Sequence, residues 1–423
     1  MGDIWPAPST RDIADAAFAA GPQAARAELM RAARGPTSLQ IVHVLRAPVG
    51  GLFRHVVDIA QGQAERGHRV GLICDSMTGG ERADALLKAL ASSLALGCTR
   101  VAISRDVDAA DFAALRRVAE RVRLLSPDVV HGHGAKGGAL ARLALGAPHA
   151  IRVYTPHGGS LAHFSGTLRG GVYRVLEWAL KWRTDLFLFE SSYIAQQFRH
   201  KIGTPHGIAR VVHGGIGPAE FAPVGTRADA TDLVCVAELR TLKGIEVLIA
   251  ALSLLRQSGR QVSATVVGEG PHEAKLRAQV QHSGLDESIR FVGYRPAREA
   301  FAMGRVLVFP SLGESLPYIV MEAVAAGMPL IATRVGGVPE IFGAEAVHLV
   351  APGDSAALAD AIGAALHDSA PLHRVTQAVK ARLREHFSKI AMVENGLAAY
   401  REAIARRKVA HSAITRLKTT QFT

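Results

Sequence analysis

Two glutamates, Glu314 and Glu322, stand eight residues apart in "GESLPYIVMEAVAAG", with Pro317 between them. Such a pair could do acid/base chemistry, sit as solvated charges on a helix, or grip two parts of one ligand. Proline lacks an N–H and clashes with a preceding helical turn, so it is confined to the first turn. The helix is therefore expected to start near Ser315 or Leu316, leaving Glu314 on the loop at its mouth and Glu322 about two turns inside. A core stripe is expected at Leu316, Ile319, Val320, Ala323 and Val324, with Glu322 outside it. The helix mouth offers backbone donors and the positive end of the dipole, a place for a phosphate. A carboxylate beside that site can take sugar hydroxyls. Taken alone, a pair at this spacing is more often a helix-start glutamate plus a surface one.

Other candidates lie where strands should pass into helices. Lys243, followed by Gly244 in "LVCVAELRTLKGIEVLIAAL", is a ready partner for a diphosphate, with Arg240 three residues before it, although a lone Lys-Gly is more often a solvated turn. Gly50 and Gly51 in "APVGGLFRHV" would let a phosphate or sugar approach the backbone closely. Neither that pair nor Gly268 and Gly270 in "GEGPHE" has a third glycine at dinucleotide spacing, and no GxxxxGK[ST] occurs. Among 18 histidines, His131 and His133 in "HGHG" have a spacing seen in metal sites. No cysteine or carboxylate cluster accompanies them, so no metal is expected. His157 in "YTPHGG" and Lys136 in "HGHGAKGG" also fall in strand-to-helix turns.

Short apolar runs such as "LQIVHVL" with its β-branched residues, "RVGLICDS" and "DLFLFESS" alternate with helical patterns from residue 39 onward. Strict alternation means parallel strands with crossover helices, an α/β fold. It restarts after the Gly/Pro-rich "GGIGPAEFAPVGTRADATD". The expected organisation is an N-terminal extension over 1–37, doubly wound Rossmann-like domains over 38–225 and 226–392, and a C-terminal helix with a basic tail over 393–423. Two such units predict a cleft, with functional residues beyond the carboxyl ends of the strands. The basic, aromatic segment "LRGGVYRVLEWALKWRTD" could lie on a membrane, but a helix between two strands is expected to pack on its sheet.

With 423 residues and 48% hydrophobic content the chain is globular, not disordered. Cys74, Cys98 and Cys235 are expected as buried, reduced thiols of a cytoplasmic protein. No basic leader precedes an apolar segment, and no uncharged run reaches the roughly 18 residues of a membrane span. The net charge of +12 suits an anionic substrate or an anionic membrane surface. Nucleic acid is not expected, since no zinc-finger or RNP-like pattern appears.

"ESLPYIVME" is similar to the E-x7-E signature of the retaining glycosyltransferases of family 4, which have the GT-B fold, and the resemblance extends over roughly residues 39 to 400. Lys243-Gly244 matches the family's K-G. Glu238 stands where the family usually has arginine, and Arg240 is the candidate to replace it. The resemblance implies that Glu314 contacts the donor sugar, that Glu322 holds the ribose, and that the helix mouth at Ser315 and Leu316 faces the donor. Gly50 and Gly51 resemble the family's glycine loop, and Gly268, Gly270, Gly293 and Tyr294 would line the base. His157, His133 and Lys136 look like acceptor-side cleft residues. With His157, Lys243 and Glu314 at its centre, the site is expected to move a sugar from a UDP- or GDP-linked donor to a glycan or lipid-linked acceptor. Retention of configuration, a bacterial polysaccharide or lipid-linked product, and no metal or other cofactor complete the expectation. The alternatives are a nucleotide-sugar epimerase of the same architecture and a catalytically silent nucleotide-binding scaffold.

Overall fold

In the computed structural model, residues 38–105, 107–158, 161 and 168–420 are described, apart from the side chains of 168–169 and 411–420. The extension over 1–37 lies outside the described residues, as do the side chains of the tail beyond residue 410.

The first domain alternates β1 (Gln40–Leu45), α1 (Gly50–Glu65), β2 (Arg69–Asp75), α2 (Gly80–Leu90), β3 (Cys98–Val101), α3 (Ala110–Leu125), β4 (Val129–His133), α4 (Gly134–Leu143), β5 (Ile151–Thr155), α5 (Leu168–Leu180), β6 (Leu186–Phe189), α6 (Ser192–Lys201) and β7 (Ile208–Val211). Its seven strands pair in the order β3-β2-β1-β4-β5-β6-β7, parallel throughout. β1, "QIVHVL", is buried at every position, as a strand covered on both faces must be.

The second domain follows with β8 (Thr231–Val236), α7 (Ile245–Gln257), β9 (Ala264–Val267), α8 (Glu273–His282), β10 (Ile289–Phe291), α9 (Ala297–Phe301), β11 (Gly304–Phe309), α10 (Tyr318–Ala325), β12 (Leu330–Ala332), α11 (Val338–Phe342), α12 (Ser355–His367) and α13 (Ala370–His386). Five parallel strands pair as β10-β9-β8-β11-β12. Two doubly wound α/β domains facing a cleft are thus present.

The last helix, α14 (Lys389–Thr420), returns to the first domain. Met392, Val393, Leu397 and Tyr400 are buried with Ile41, Ile59 and Val129. Gly62 of α1 admits it: a Cβ there would sit 2.5 Å from a Val393 methyl. The return strand of chain is pinned beside the outgoing one, with Ile216 N–H donating to Phe387 O and Lys389 N–H to Ile216 O, both at 2.9 Å.

Several local expectations are corrected. α2 and β3 have no counterpart in the sequence reading. β3 is a four-residue edge strand whose "CTRV" alternates weakly, and it leaves Cys98 exposed while Cys74 and Cys235 are buried. α10 starts at Tyr318 with Pro317 as its extended N-cap, later than expected, and Met321 and Ala325 are buried beside the expected stripe. Because α10 is flanked on several sides, its apolar surface is wider than one stripe.

The largest departure is α5. Packing on the sheet was expected, yet Val172, Val175, Leu176 and Trp178 are exposed, as is Trp182 just beyond it. The face α5 turns inward carries Glu177 instead, paired with buried Arg142 at 2.9 Å and accepting from Tyr154 Oη–H at 2.5 Å. Arg142 lies over the Tyr154 ring at 3.8 Å. A buried carboxylate is tolerable only with such partners. Among the described residues, no helix is long and apolar enough to cross a membrane.

Candidate active site

A cavity of about 710 Å³ opens between the carboxyl ends of the two sheets, within the range of small-ligand sites. Three helix starts reach it: Gly50 and Gly51 of α1, Lys243 just before α7, and Pro317 and Tyr318 of α10. None of the three has its N-terminal N–H groups capped by the side chain of its N-cap residue. Their free donors and dipoles suit an anionic ligand. Gly244 is required by both its backbone and its surroundings. It has φ of 65°, and a Cβ would lie 2.0 Å from the Pro310 carbonyl oxygen. Gly336 plays the same part behind the motif, since a Cβ there would sit 2.1 Å from Glu314 O, and Gly337 N–H donates to Ser315 O at 2.6 Å.

The second domain supplies a charged wall. Lys243 Nζ donates to Glu314 Oε1 at 2.6 Å, and Ser311 Oγ–H donates to the same oxygen at 2.8 Å. Arg240 pairs with Glu238, and both line the cavity. Glu322 pairs across the cleft with Arg54 of α1, which also binds Glu220 and lies 3.4 Å from Asp58. Arg82 of α2 stacks its guanidinium 3.3 Å over the Tyr294 ring.

The first domain supplies a wall of histidines. His43 Nε2 meets Gln63 Oε1 at 2.8 Å, His43 Nδ1 meets His133 Nε2 at 2.9 Å, and His133 Nδ1 meets His157 Nε2 at 3.2 Å. Gln63 donates its amide to Tyr400 Oη at 3.5 Å, so its oxygen faces His43. Neutral rings then have one proton order: His43 donates to Gln63, His133 to His43, and His157 to His133. Nδ1 of His157 is left as the acceptor. His131 is held separately, by Tyr400 Oη at 2.7 Å and Thr155 Oγ1 at 2.8 Å. His55 Nδ1 meets Tyr318 Oη at 3.1 Å, joining the walls.

Burial keeps these rings neutral. It lowers His43 and His55 from an ordinary 6.5 to about 4, against the opposing effects of Gln63 and Asp58 respectively. It drives His131, His133 and His157 well down, with neighbouring histidines adding to the effect. His157 also has φ of 52°, a left-handed conformation unusual for a residue with a Cβ and common at functional sites. Two groups, His43/His131/His133 and His55/His133/His157, bring a ligand nitrogen from each ring within 4.8 Å of one another. Both nitrogens of His43, His131 and His133 already have hydrogen-bond partners, so a cation there would displace that network. The sequence also carries an Asp-x-Asp spacing at Asp106–Val107–Asp108. Asp106 lies outside the described residues, and Asp108 Oδ1 accepts from Ala110 N–H at 2.9 Å.

The cavity gathers His157, Lys243, Glu314, Gly50, Gly51, Arg240, Gly268, Tyr294, Ser315, Leu316 and Glu322. Four candidates do not line it. Gly270 serves packing, since a Cβ would lie 2.4 Å from Leu239 O, and Gly293 accepts from Gly268 N–H behind Tyr294. His133 is a layer deeper, and Lys136 is turned to Asp111. The cavity also contains Arg54, His55, Arg82 and Glu190, which sequence reasoning missed. Arg54 and His55 immediately follow "GGLF", where a one-turn helical spacing from the glycines was the available signal.

The two domains are fastened at Glu340, whose carboxylate accepts from Ser192 and Tyr193 N–H at 2.8 and 2.7 Å and meets His213 at 3.0 Å. Burial would raise its pKa, but these three partners outweigh that and hold it below the usual value.

Residues 49–220 match the family described as Glycosyltransferase Family 4, and residues 230–368 the one described as Glycosyl transferases group 1. The putative glycosyltransferase EpsD of Bacillus subtilis is 30% identical over 280 residues, 62% of this chain and 73% of the relative. The glycogen synthase of Mycobacterium tuberculosis is 27% identical over 370 residues, 80% and 88% of the two chains. Among solved structures, Anabaena HepE in complex with UDP-glucose has a TM-score of 0.68 at 18% identity, covering 88% of this chain and 100% of that one. Sucrose-phosphate synthase of Thermosynechococcus elongatus has a TM-score of 0.70 at 21% identity, covering 87% and 100%. The structural likeness makes the fold GT-B. With each domain matched by its own glycosyltransferase family around one cleft, the chain belongs to the glycosyltransferases of the group 1/family 4 type.

Proposed function

We propose that this glycosyltransferase moves a hexose from a nucleoside diphosphate sugar to a hydroxyl acceptor with retention of anomeric configuration. The observation that carries the reading is the Lys243–Glu314 contact at 2.6 Å, placed between two uncapped helix starts and opposite the neutral histidine wall. The bond from the anomeric carbon to the diphosphate oxygen breaks. The acceptor oxygen bonds to the same face of that carbon, and its proton passes to the departing phosphate oxygen. What the protein must supply is position and stabilisation of the diphosphate charge. Lys243, Arg240 and the helix starts provide that charge, Glu314 takes sugar hydroxyls, and Glu322 takes the ribose. Cationic side chains stand where a metal would otherwise act.

The acceptor we favour is a glycan or lipid-linked intermediate of surface polysaccharide assembly, made at the cytoplasmic face of a membrane. Val172, Val175, Trp178 and Trp182 make an exposed apolar face beside Lys181 and Arg183, which fits an anionic lipid surface. The putative colanic acid glycosyltransferase WcaL of Escherichia coli, 31% identical over 194 residues, supports that context. The test incubates the protein with UDP-glucose or GDP-mannose and a glycan or lipid-linked acceptor and follows the anomeric proton by NMR. A product of the donor's own configuration is expected. Inverted product, or a donor isomerised without any acceptor, overturns the reading.

A further inference from the structure

Glu190 is a buried carboxylate that the chemistry above leaves without a role. It follows β6 at the carboxyl edge of the first sheet, is 4% exposed, and lines the cavity. Among the described residues, neither carboxylate oxygen meets a hydrogen-bond partner in acceptable geometry. Burial pushes its pKa up to about 7, against its own N–H, that of His157 and the Ser315 hydroxyl nearby, while Glu340 adds to the rise.

The usual structural task for a glutamate here is already filled. The start of α6 is capped by Ser191 Oγ, which accepts from Ile194 N–H at 3.2 Å, and its first two N–H groups, of Ser192 and Tyr193, donate to Glu340. A buried carboxylate whose neighbouring donors, its own N–H, that of His157 and the Ser315 hydroxyl, stay out of hydrogen-bond geometry lowers stability, so its occurrence beside a ligand cavity points to a partner that arrives with the ligand. The setting limits that partner. His157 and Ser315 flank Glu190, and a Cβ on Gly158 would lie 3.1 Å from Ser315 Cβ, so the end of β5 and the mouth of α10 close around it. A carboxylate repels the diphosphate and accepts hydrogen bonds, whereas Glu314 is drawn toward the diphosphate end by Lys243. The complementary group is a hydroxyl on the sugar.

We propose that Glu190 accepts a hydrogen bond from one hydroxyl of the transferred hexose and selects donors carrying that hydroxyl over their deoxy counterparts. This rests on the transfer reading above. Calorimetry on the full chain at about pH 8, where the carboxylate is ionised, compares wild type, Glu190→Ala and Glu190→Gln. The probes are UDP, UDP-glucose, GDP and GDP-mannose, then the 2-, 3-, 4- and 6-deoxy forms of whichever hexose donor binds. Glu190→Ala should bind the free nucleotide within about twofold of wild type and the intact donor about tenfold or more weakly. One deoxy donor should lose that same factor with wild type and almost nothing with Glu190→Ala. Both variants should melt higher by about 2 to 4 °C, because an unpaired buried charge has gone. Unchanged donor affinity, a parallel loss for free nucleotide, a lowered melting temperature, or equal discrimination of every deoxy donor in both proteins overturns the assignment. If wild type binds a donor and the variants match it, only the assignment falls. If wild type binds no nucleotide-hexose, the transfer reading falls with it.

Discussion

The two walls of the cleft solve opposite problems. The second domain presents charges that remain partly exposed, in salt-bridged pairs: Lys243 with Glu314, Arg240 with Glu238, and Glu322 with Arg54 of the facing wall. The first presents rings buried so deeply that they stay neutral, ordered end to end by Gln63. A charged leaving group needs the first kind of surface, whose cations exchange partners at small electrostatic cost because water still screens them. A sugar and an attacking hydroxyl need the second, which offers directed acceptors without a charge that would compete for the diphosphate. The difference is that between stabilising charge and fixing orientation.

Acid should break the comparison most severely. In the unfolded chain His43 and His55 take protons below about 6.5, whereas the folded protein refuses them until about 4. The unfolded state therefore binds more protons in that window, and stability, fully present above 6.5, is lost as pH falls toward 4. Summed over the buried histidines the loss is on the order of several kcal/mol. Glu190 acts in the opposite sense, costing stability as pH rises from 4.5 to about 7. Denaturant melts between pH 8 and 4 measure this. A flat profile below 6.5 would mean that the histidine wall is not neutral.

Lys243→Ala tests the charged wall and should cost about 2 to 4 kcal/mol in kcat/KM, the scale of one lost charged donor. Near-normal turnover would remove Lys243 from that role. His133→Leu breaks the proton order without touching the cavity. A loss of about tenfold in kcat is expected while nucleotide affinity is kept, because His157 loses the acceptor that fixes its tautomer. A fall in nucleotide affinity instead would make His133 a donor-site support. The smallest effect belongs outside the cleft. Trp178→Glu should weaken binding to vesicles of phosphatidylglycerol by about 1 kcal/mol or more and leave kcat with a soluble acceptor unchanged. Equal vesicle binding by wild type and variant would remove α5 as the contact.

Elements whose signals are local were legible in the amino-acid order. Alternating β-branched runs and helices yield parallel sheets, and Pro317 divides Glu314 from Glu322 because proline acts on its own turn. Lys243-Gly244 was legible too, since a left-handed glycine sits beside the residue it serves. Tertiary structure alone decided what depends on distant partners. His43 and His133 are 90 residues apart in the chain, yet lie on neighbouring strands and share a proton. Glu190 looked like the end of an apolar strand, and only the arrival of Ser315 from the other domain made it a cavity residue. α5 reads as amphipathic in either direction, and the Arg142–Glu177 pair chose which face turned inward. Local sequence fixes backbone geometry within a turn or two, whereas burial, and with it protonation and partnership, is set by chain segments that only folding brings into contact.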